Sequence, residues 1–152
     1  MGAKRVLILC TGNSARSQMA EGLVNHFLSG EWQAQSAGTS PAGHVHPLAV
    51  KAMAELGIDI SGARSKSVDE FRGHEFDLVV TVCDRAAENC PLWLGKGRKM
   101  HIGFPDPAAA EGSEAERLAV FRAVRDEIQR EVVSRLMQAE GDEHVGQRQS
   151  QK

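Results

Sequence analysis

The chain has 152 residues, 41% of them hydrophobic and 25% charged, with a formal net charge of −2; this allows one domain with a real core and leaves no basic excess for nucleic acid. Its longest apolar runs, Val6 to Cys10 and Leu78 to Cys83, are far too short for a membrane span, and the start Met1-Gly2-Ala3-Lys4-Arg5 does not resemble a signal peptide, so a cytoplasmic protein is expected. Three cysteines are an odd number, which in a reducing compartment speaks against a static disulfide framework and for metal binding, catalysis or thiol exchange.

Arg5-Val6-Leu7-Ile8-Leu9 is a continuous apolar strand signal, typical of a strand covered on both faces. The period then changes: Met19, Leu23 and Phe27, with Ala20 and Val24 beside them, predict a helix from Ser17 that ends before Ser29-Gly30. A second strand is expected over Trp32 to Ser36, followed by a loop Ala37-Gly38-Thr39-Ser40-Pro41. Pro47 suits a first helical turn, and Leu48, Ala52, Met53 and Leu56 form a stripe that stops at Gly57. Asp77 to Val82 repeats the buried-strand signal and delivers Cys83 at its carboxyl end, as the first strand delivers Cys10. Both thiols are therefore expected at one sheet edge, where open parallel sheets bind ligands. A further strand over Arg98 to Ile102 leads into the loop Gly103-Phe104-Pro105-Asp106-Pro107. Ser113 and Glu116 form a capping box, and Leu118, Phe121, Val124, Ile128, Val132 and Leu136 give a long amphipathic helix. Alternating strands and helices imply a three-layer α/β fold with a small, mainly parallel sheet, one catalytic domain over 1–139, and a frayed polar tail over 140–152.

Cys10-Thr11-Gly12-Asn13-Ser14-Ala15-Arg16 stands between a buried strand and a helix start. Backbone N–H groups turning inward at the positive end of a helix dipole make an oxyanion cradle. Gly12 is expected to allow the tight path, Arg16 to grip two anion oxygens, Ser17 to donate to a reactive Cys10 thiolate, and Asn13 and Ser14 to brace the loop from behind. Thr11, Gly12, Asn13, Ser14, Ala15, Arg16 and Ser17 are thus the candidate oxyanion-binding residues. Asp106-Pro107 reads either as a turn start or as a general acid at the same edge. Cys83 and Cys90 are too far apart in sequence for a Cys-x2-Cys motif and lack the partners of a zinc site; they read equally as two idle thiols or as an exchanging pair. His44 and His46 lie in a Gly/Pro loop and are expected to be surface residues, not metal ligands.

The segment Cys10 to Gly22 resembles the signature of the low-molecular-weight tyrosine phosphatase superfamily, and in particular its thioredoxin-coupled arsenate reductases. Ser36-Ala37-Gly38, Ala49-Val50-Lys51-Ala52-Met53, Gly57-Ile58-Asp59-Ile60-Ser61, Asp77 to Cys83, Cys90-Pro91, Asp106-Pro107-Ala108 and Val124-Arg125-Asp126-Glu127-Ile128 follow in the same order, so the resemblance covers about residues 4 to 138. It implies a low-molecular-weight phosphatase-like α/β/α sandwich with about four parallel strands. It also implies that Cys10 attacks arsenate, with Arg16 holding the anion and Asp106 as general acid. Cys83 then attacks Cys10 and releases arsenite, Cys90 attacks Cys83, and thioredoxin reduces the resulting disulfide. No tightly bound cofactor is implied, and a monomer is expected.

Two positions depart from the pattern. Ala15 stands where several relatives carry a cysteine, which removes an oxidation liability and leaves the three relay thiols. Relatives that bind potassium behind the loop use residues matching Asn13, Glu21, Ser36 and, by spacing, Lys66; a lysine cannot ligate a cation, so its ammonium is expected to replace potassium. Two other functions compete. A phosphomonoesterase needs only Cys10, Arg16 and Asp106, although Ala108-Ala109-Ala110 offers no aromatic to sandwich a tyrosine ring. A thiol-redox sensor would oxidise Cys10 without turnover.

Overall fold

The computed structural model describes residues 2–84, 93, 95 and 97–138. Cys90 and the tail expected from 140 lie outside the described residues. Four strands, β1 (Lys4–Cys10), β2 (Trp32–Gly38), β3 (Leu78–Thr81) and β4 (Arg98–His101), form one sheet in the order β2-β1-β3-β4. All three pairings are parallel. Among the described residues three α-helices connect and close it: α1 (Arg16–Phe27), α2 (Pro47–Ala54) and α3 (Glu114–Ile128).

The unbroken apolar run of β1 reflects burial on both faces. Val6, Ile8 and Cys10 join Leu78 and Val80 under the three helices, while Leu7 and Leu9 face the other way with Val79, Phe71, Phe76 and Trp93. Each such side chain, fully buried, contributes roughly 1.5–3 kcal/mol. The second face is covered, among the described residues, by a 3-10 turn over Val68–Phe71 and by edge-to-face contacts of Phe76 with Phe71 and Trp93.

The sheet order fixes where a site can form. From β1 the chain moves outward to β2 and then crosses to β3 on the other side, so the crevice beyond the carboxyl ends of β1 and β3 is a topological switch point. Cys10 is the last residue of β1, and Cys83 stands two residues past β3, with Val82 N donating to Leu9 O at 2.9 Å.

Two elements differ from expectation. Strand β2 runs through Ala37 and Gly38, which were expected in the loop, because β1 pairs with it as far as Cys10 opposite Gly38. The long C-terminal helix keeps its capping box but passes through a π turn at Gln129–Val133 before resuming. Val124, Ile128, Val132 and Leu136 are all buried. A four-residue spacing drifts by about 40° per step around an α-helix. The wider π turn brings the later residues back onto the core face.

Arg122 and Arg125 of α3 hold Glu55 at the end of α2, with Arg122 Nη2 at 2.7 Å and Arg125 Nη1 at 2.9 Å from its carboxylate oxygens. The Arg122 hydrogen bond above all takes the Glu55 carboxyl from its ordinary 4.5 down to about 2. A depressed carboxylate contributes fully above its unfolded value and loses that contribution as pH falls towards the folded one. Thermal melts of Glu55→Gln should therefore lie below the native protein near neutrality and converge with it as the pH falls from about 4.5 towards 2.

Candidate active site

Residues 11–15 turn between β1 and α1, and Gly12, Ser14 and Ala15 of this turn line, with Cys10 and Arg16, a pocket of about 200 Å³. Gly12, Ser14 and Ala15 form its wall from the loop, and Ala42, Asp106 and Ala108 close it from the opposite side. Ala15 is the N-cap of α1 and supplies no side-chain cap, and the positive N-terminal end of the helix faces an anion held in the loop. A wider cleft of about 450 Å³ between Gln18, Glu21, Asp59 and Gly62 has no cysteine in its lining.

Cys10 is a free, buried thiol. Its Sγ lies 2.9 Å from Ser17 Oγ and accepts from Asn13 N at 3.2 Å. The buried Asn13 amide sets the direction of these bonds: Nδ2 donates to Ser17 Oγ at 2.8 Å and to Ser36 Oγ at 3.0 Å. Both hydroxyls thus accept from the amide, which leaves the Ser17 proton for the Cys10 sulfur and the Ser36 proton for Glu21, to which Ser36 donates. Burial pushes the Glu21 carboxyl up, against the opposing pull of Ser36 and Lys66.

The tight path does not rest on Gly12. An added Cβ there would meet only Ser14 Cβ at 3.9 Å. The left-handed residue is Asn13, with φ 47°, a conformation asparagine tolerates better than most side chains. The close approach is at Gly38 instead, where a Cβ would run into Thr11 O and lie 3.0 Å from Asn13 N. Ser14 is also not a brace from behind. It lines the pocket, and its carbonyl accepts from His46 N at 2.9 Å.

Asn13 does brace the loop from behind, and further residues join it. Gln18 is almost fully buried, and its Nε2 donates to Asn13 Oδ1 at 2.9 Å and to Arg64 O at 2.9 Å. Ser65 Oγ donates to Gly12 O at 3.1 Å, while Ser40 N and Ala42 N donate to Thr11 O and Gly12 O. A polar glutamine beside apolar Met19 near the helix start was the available signal for the first of these. His46 is half-buried, not a plain surface residue: it caps α2 by accepting from Leu48 N at 3.0 Å, and its ring packs 4.6 Å from Phe121. Burial, with nearby Arg117 and His44, lowers its pKa.

Arg16 is 4% exposed. Its Nη1 donates to Phe104 O at 3.2 Å, and its Nη2 stands 3.9 Å from Asp106 Oδ2. Asp106 is 42% exposed at its side chain and accepts from Ala108 N, so it does start a turn, and that turn also points its carboxylate at the pocket. Cys83 is disulfide-bonded. Among the described residues no cluster of three His, Cys, Asp or Glu side chains could hold a metal, and no helix is long and apolar enough to cross a membrane.

The model of the low molecular weight phosphotyrosine protein phosphatase family matches residues 5–145. An arsenate reductase of Halalkalibacterium halodurans is 52% identical over 128 residues, 84% of this chain and 91% of that protein. A solved structure described as an arsenate reductase in oxidized state superposes with a TM-score of 0.74 at 31% identity, covering 89% of this chain and 98% of the other. A thioredoxin-dependent arsenate reductase of Corynebacterium glutamicum does so with 0.64 at 26% identity, covering 91% and 64%. The chain belongs to the low molecular weight phosphotyrosine protein phosphatase family and groups within it with the arsenate reductases.

Proposed function

We propose that the protein reduces arsenate to arsenite through Cys10, Cys83 and Cys90, and that thioredoxin restores it. The observation that carries this reading is the pairing of a free Cys10 in an anion pocket with a disulfide-bonded Cys83 just past the neighbouring strand. That pattern, nucleophile reduced and neighbour oxidised, is the one expected at the end of a turnover. The relatives' names support arsenate as the anion and thioredoxin as the reductant.

In this scheme the arsenate oxygens occupy the loop against its backbone N–H groups and the Arg16 fork. The Cys10 thiolate, held by Ser17 and Asn13 N, attacks arsenic to form an S–As bond. The departing oxygen leaves as water after taking a proton from Asp106. Cys83 then attacks Cys10 Sγ. An S–S bond forms, the S–As bond breaks, and its electron pair stays on arsenic, which leaves as arsenite in the trivalent state. Cys90 attacks Cys83 and frees Cys10 as a thiolate. The Cys83–Cys90 disulfide is reduced by a dithiol, which closes the cycle: one arsenate and two thiols give one arsenite, one disulfide and water.

Phosphate ester hydrolysis needs only Cys10, Arg16 and Asp106, and among the described residues the pocket lining contains no aromatic ring to hold a tyrosyl group. Arsenate-dependent NADPH oxidation with thioredoxin and thioredoxin reductase separates the two activities. Cys83→Ser and Cys90→Ser should each lose multiple turnover while any aryl phosphate hydrolysis persists. Full arsenate turnover in either variant excludes the relay.

A further inference from the structure

Glu21 and Lys66 lie behind the loop, on the side away from the pocket. Glu21, whose side chain is 23% exposed, accepts from Ser36, and Ser36 accepts from the Asn13 amide that also holds Ser17. A partly buried carboxylate is stabilised by a positive partner. The donor set does not suit potassium. Asn13 Oδ1 already accepts from Gln18 Nε2 at 2.9 Å and Lys66 N at 2.8 Å, and Arg64 O accepts from Gln18 Nε2 and Lys66 Nζ, both at 2.9 Å. Gln18 Oε1 is the buried side-chain acceptor left without a hydrogen bond among the described residues, and one amide oxygen does not make a cage. The Lys66 ammonium itself, on a side chain 13% exposed, stands 3.9 Å from Glu21 Oε1.

We infer that Lys66 is a positioning residue whose ammonium takes the place of a monovalent cation behind the loop, holding Glu21, Ser36 and Asn13 in register so that Ser17 stays aimed at Cys10. The protein is then indifferent to potassium. The backbone of Lys66 makes separate contacts, its N–H to Asn13 Oδ1 and its carbonyl from Gly38 N at 2.9 Å. Side-chain variants therefore remove the ammonium and leave those contacts in place.

The test uses the full chain with Cys83→Ser and Cys90→Ser, so that Cys10 is the sole thiol. Melting temperature and the rate of Cys10 alkylation by iodoacetamide are read in potassium and sodium chloride at matched ionic strength. Neither readout involves arsenate, so failure of the reductase reading leaves this test intact. The background protein should behave alike in both salts. Lys66→Met should melt about 2–4 °C lower and alkylate roughly threefold to tenfold more slowly, the net worth of about one hydrogen bond, while Lys66→Arg stays near the background protein. Lys66→Asp should be impaired in sodium and recover saturably in potassium. Three results each overturn the inference: a saturable potassium-specific rise in the background protein, an unchanged alkylation rate in Lys66→Met, or a Lys66→Asp protein that ignores potassium.

Discussion

Arg16→Lys should lower kcat/KM for arsenate by about 10²–10³-fold while shifting the melting temperature by no more than a few degrees. Both parts follow from the placement of the guanidinium. It is buried, one nitrogen is anchored on Phe104 O, and another faces Asp106 at 3.9 Å. Its planar fork is thereby set for two oxygens of a tetrahedral anion. Lysine would keep the charge but supply a single point donor on a flexible stem, so it could not reproduce the paired contact as charge develops on the anion. The stability cost is limited to about one hydrogen bond. Steady-state kinetics beside thermal melts measures both. An Arg16→Lys enzyme with native kcat/KM would remove Arg16 from the anion site.

Asn13→Ala should be the most damaging change to stability near the site, at about 3–5 kcal/mol. Asn13 is fully buried, and its side chain makes four hydrogen bonds, to Ser17, Ser36, Gln18 and the Lys66 amide. Truncation leaves each partner short of one bond in a place water does not reach. A second cost is separable. Alanine at φ 47° is strained by about 1–2 kcal/mol and glycine is not. Asn13→Gly should therefore be the milder variant by about 1 kcal/mol in denaturant unfolding. Both should slow Cys10 alkylation, because Ser17 loses the amide that orients it. If the two variants were equally stable, the left-handed conformation would not be the strained feature described.

The strands and the nucleophile's position were legible because the hydrophobic period changes sharply at Cys10, from an unbroken run to a spacing of three and four. A parallel sheet then puts Cys10 and Cys83 at the same edge by topology alone. The backbone demands on glycine were less legible. Gly12 stands in the motif, yet the backbone demands fall on Asn13 and on Gly38, which is remote in sequence and adjacent only through the β1–β2 pairing. Local composition carries no record of such a contact. The π turn was hidden for a similar reason: a four-residue apolar spacing is consistent with an α-helix until the core face is known. Gln18, Ser65 and the carbonyl of Phe104 complete the site from separate segments, and only folding brings them to the loop. Lys66 was reached from the sequence only through the family resemblance, and its ammonium then lies beside Glu21.

The order of the thiols is tested most directly by a single-turnover reaction of Cys90→Ser with arsenate, followed by arsenite quantification and peptide mapping of disulfides. The relay predicts one arsenite per chain, a Cys10–Cys83 disulfide, and no further reaction with thioredoxin absent. Release of several arsenites per chain, or one arsenite without a Cys10–Cys83 bond, contradicts it.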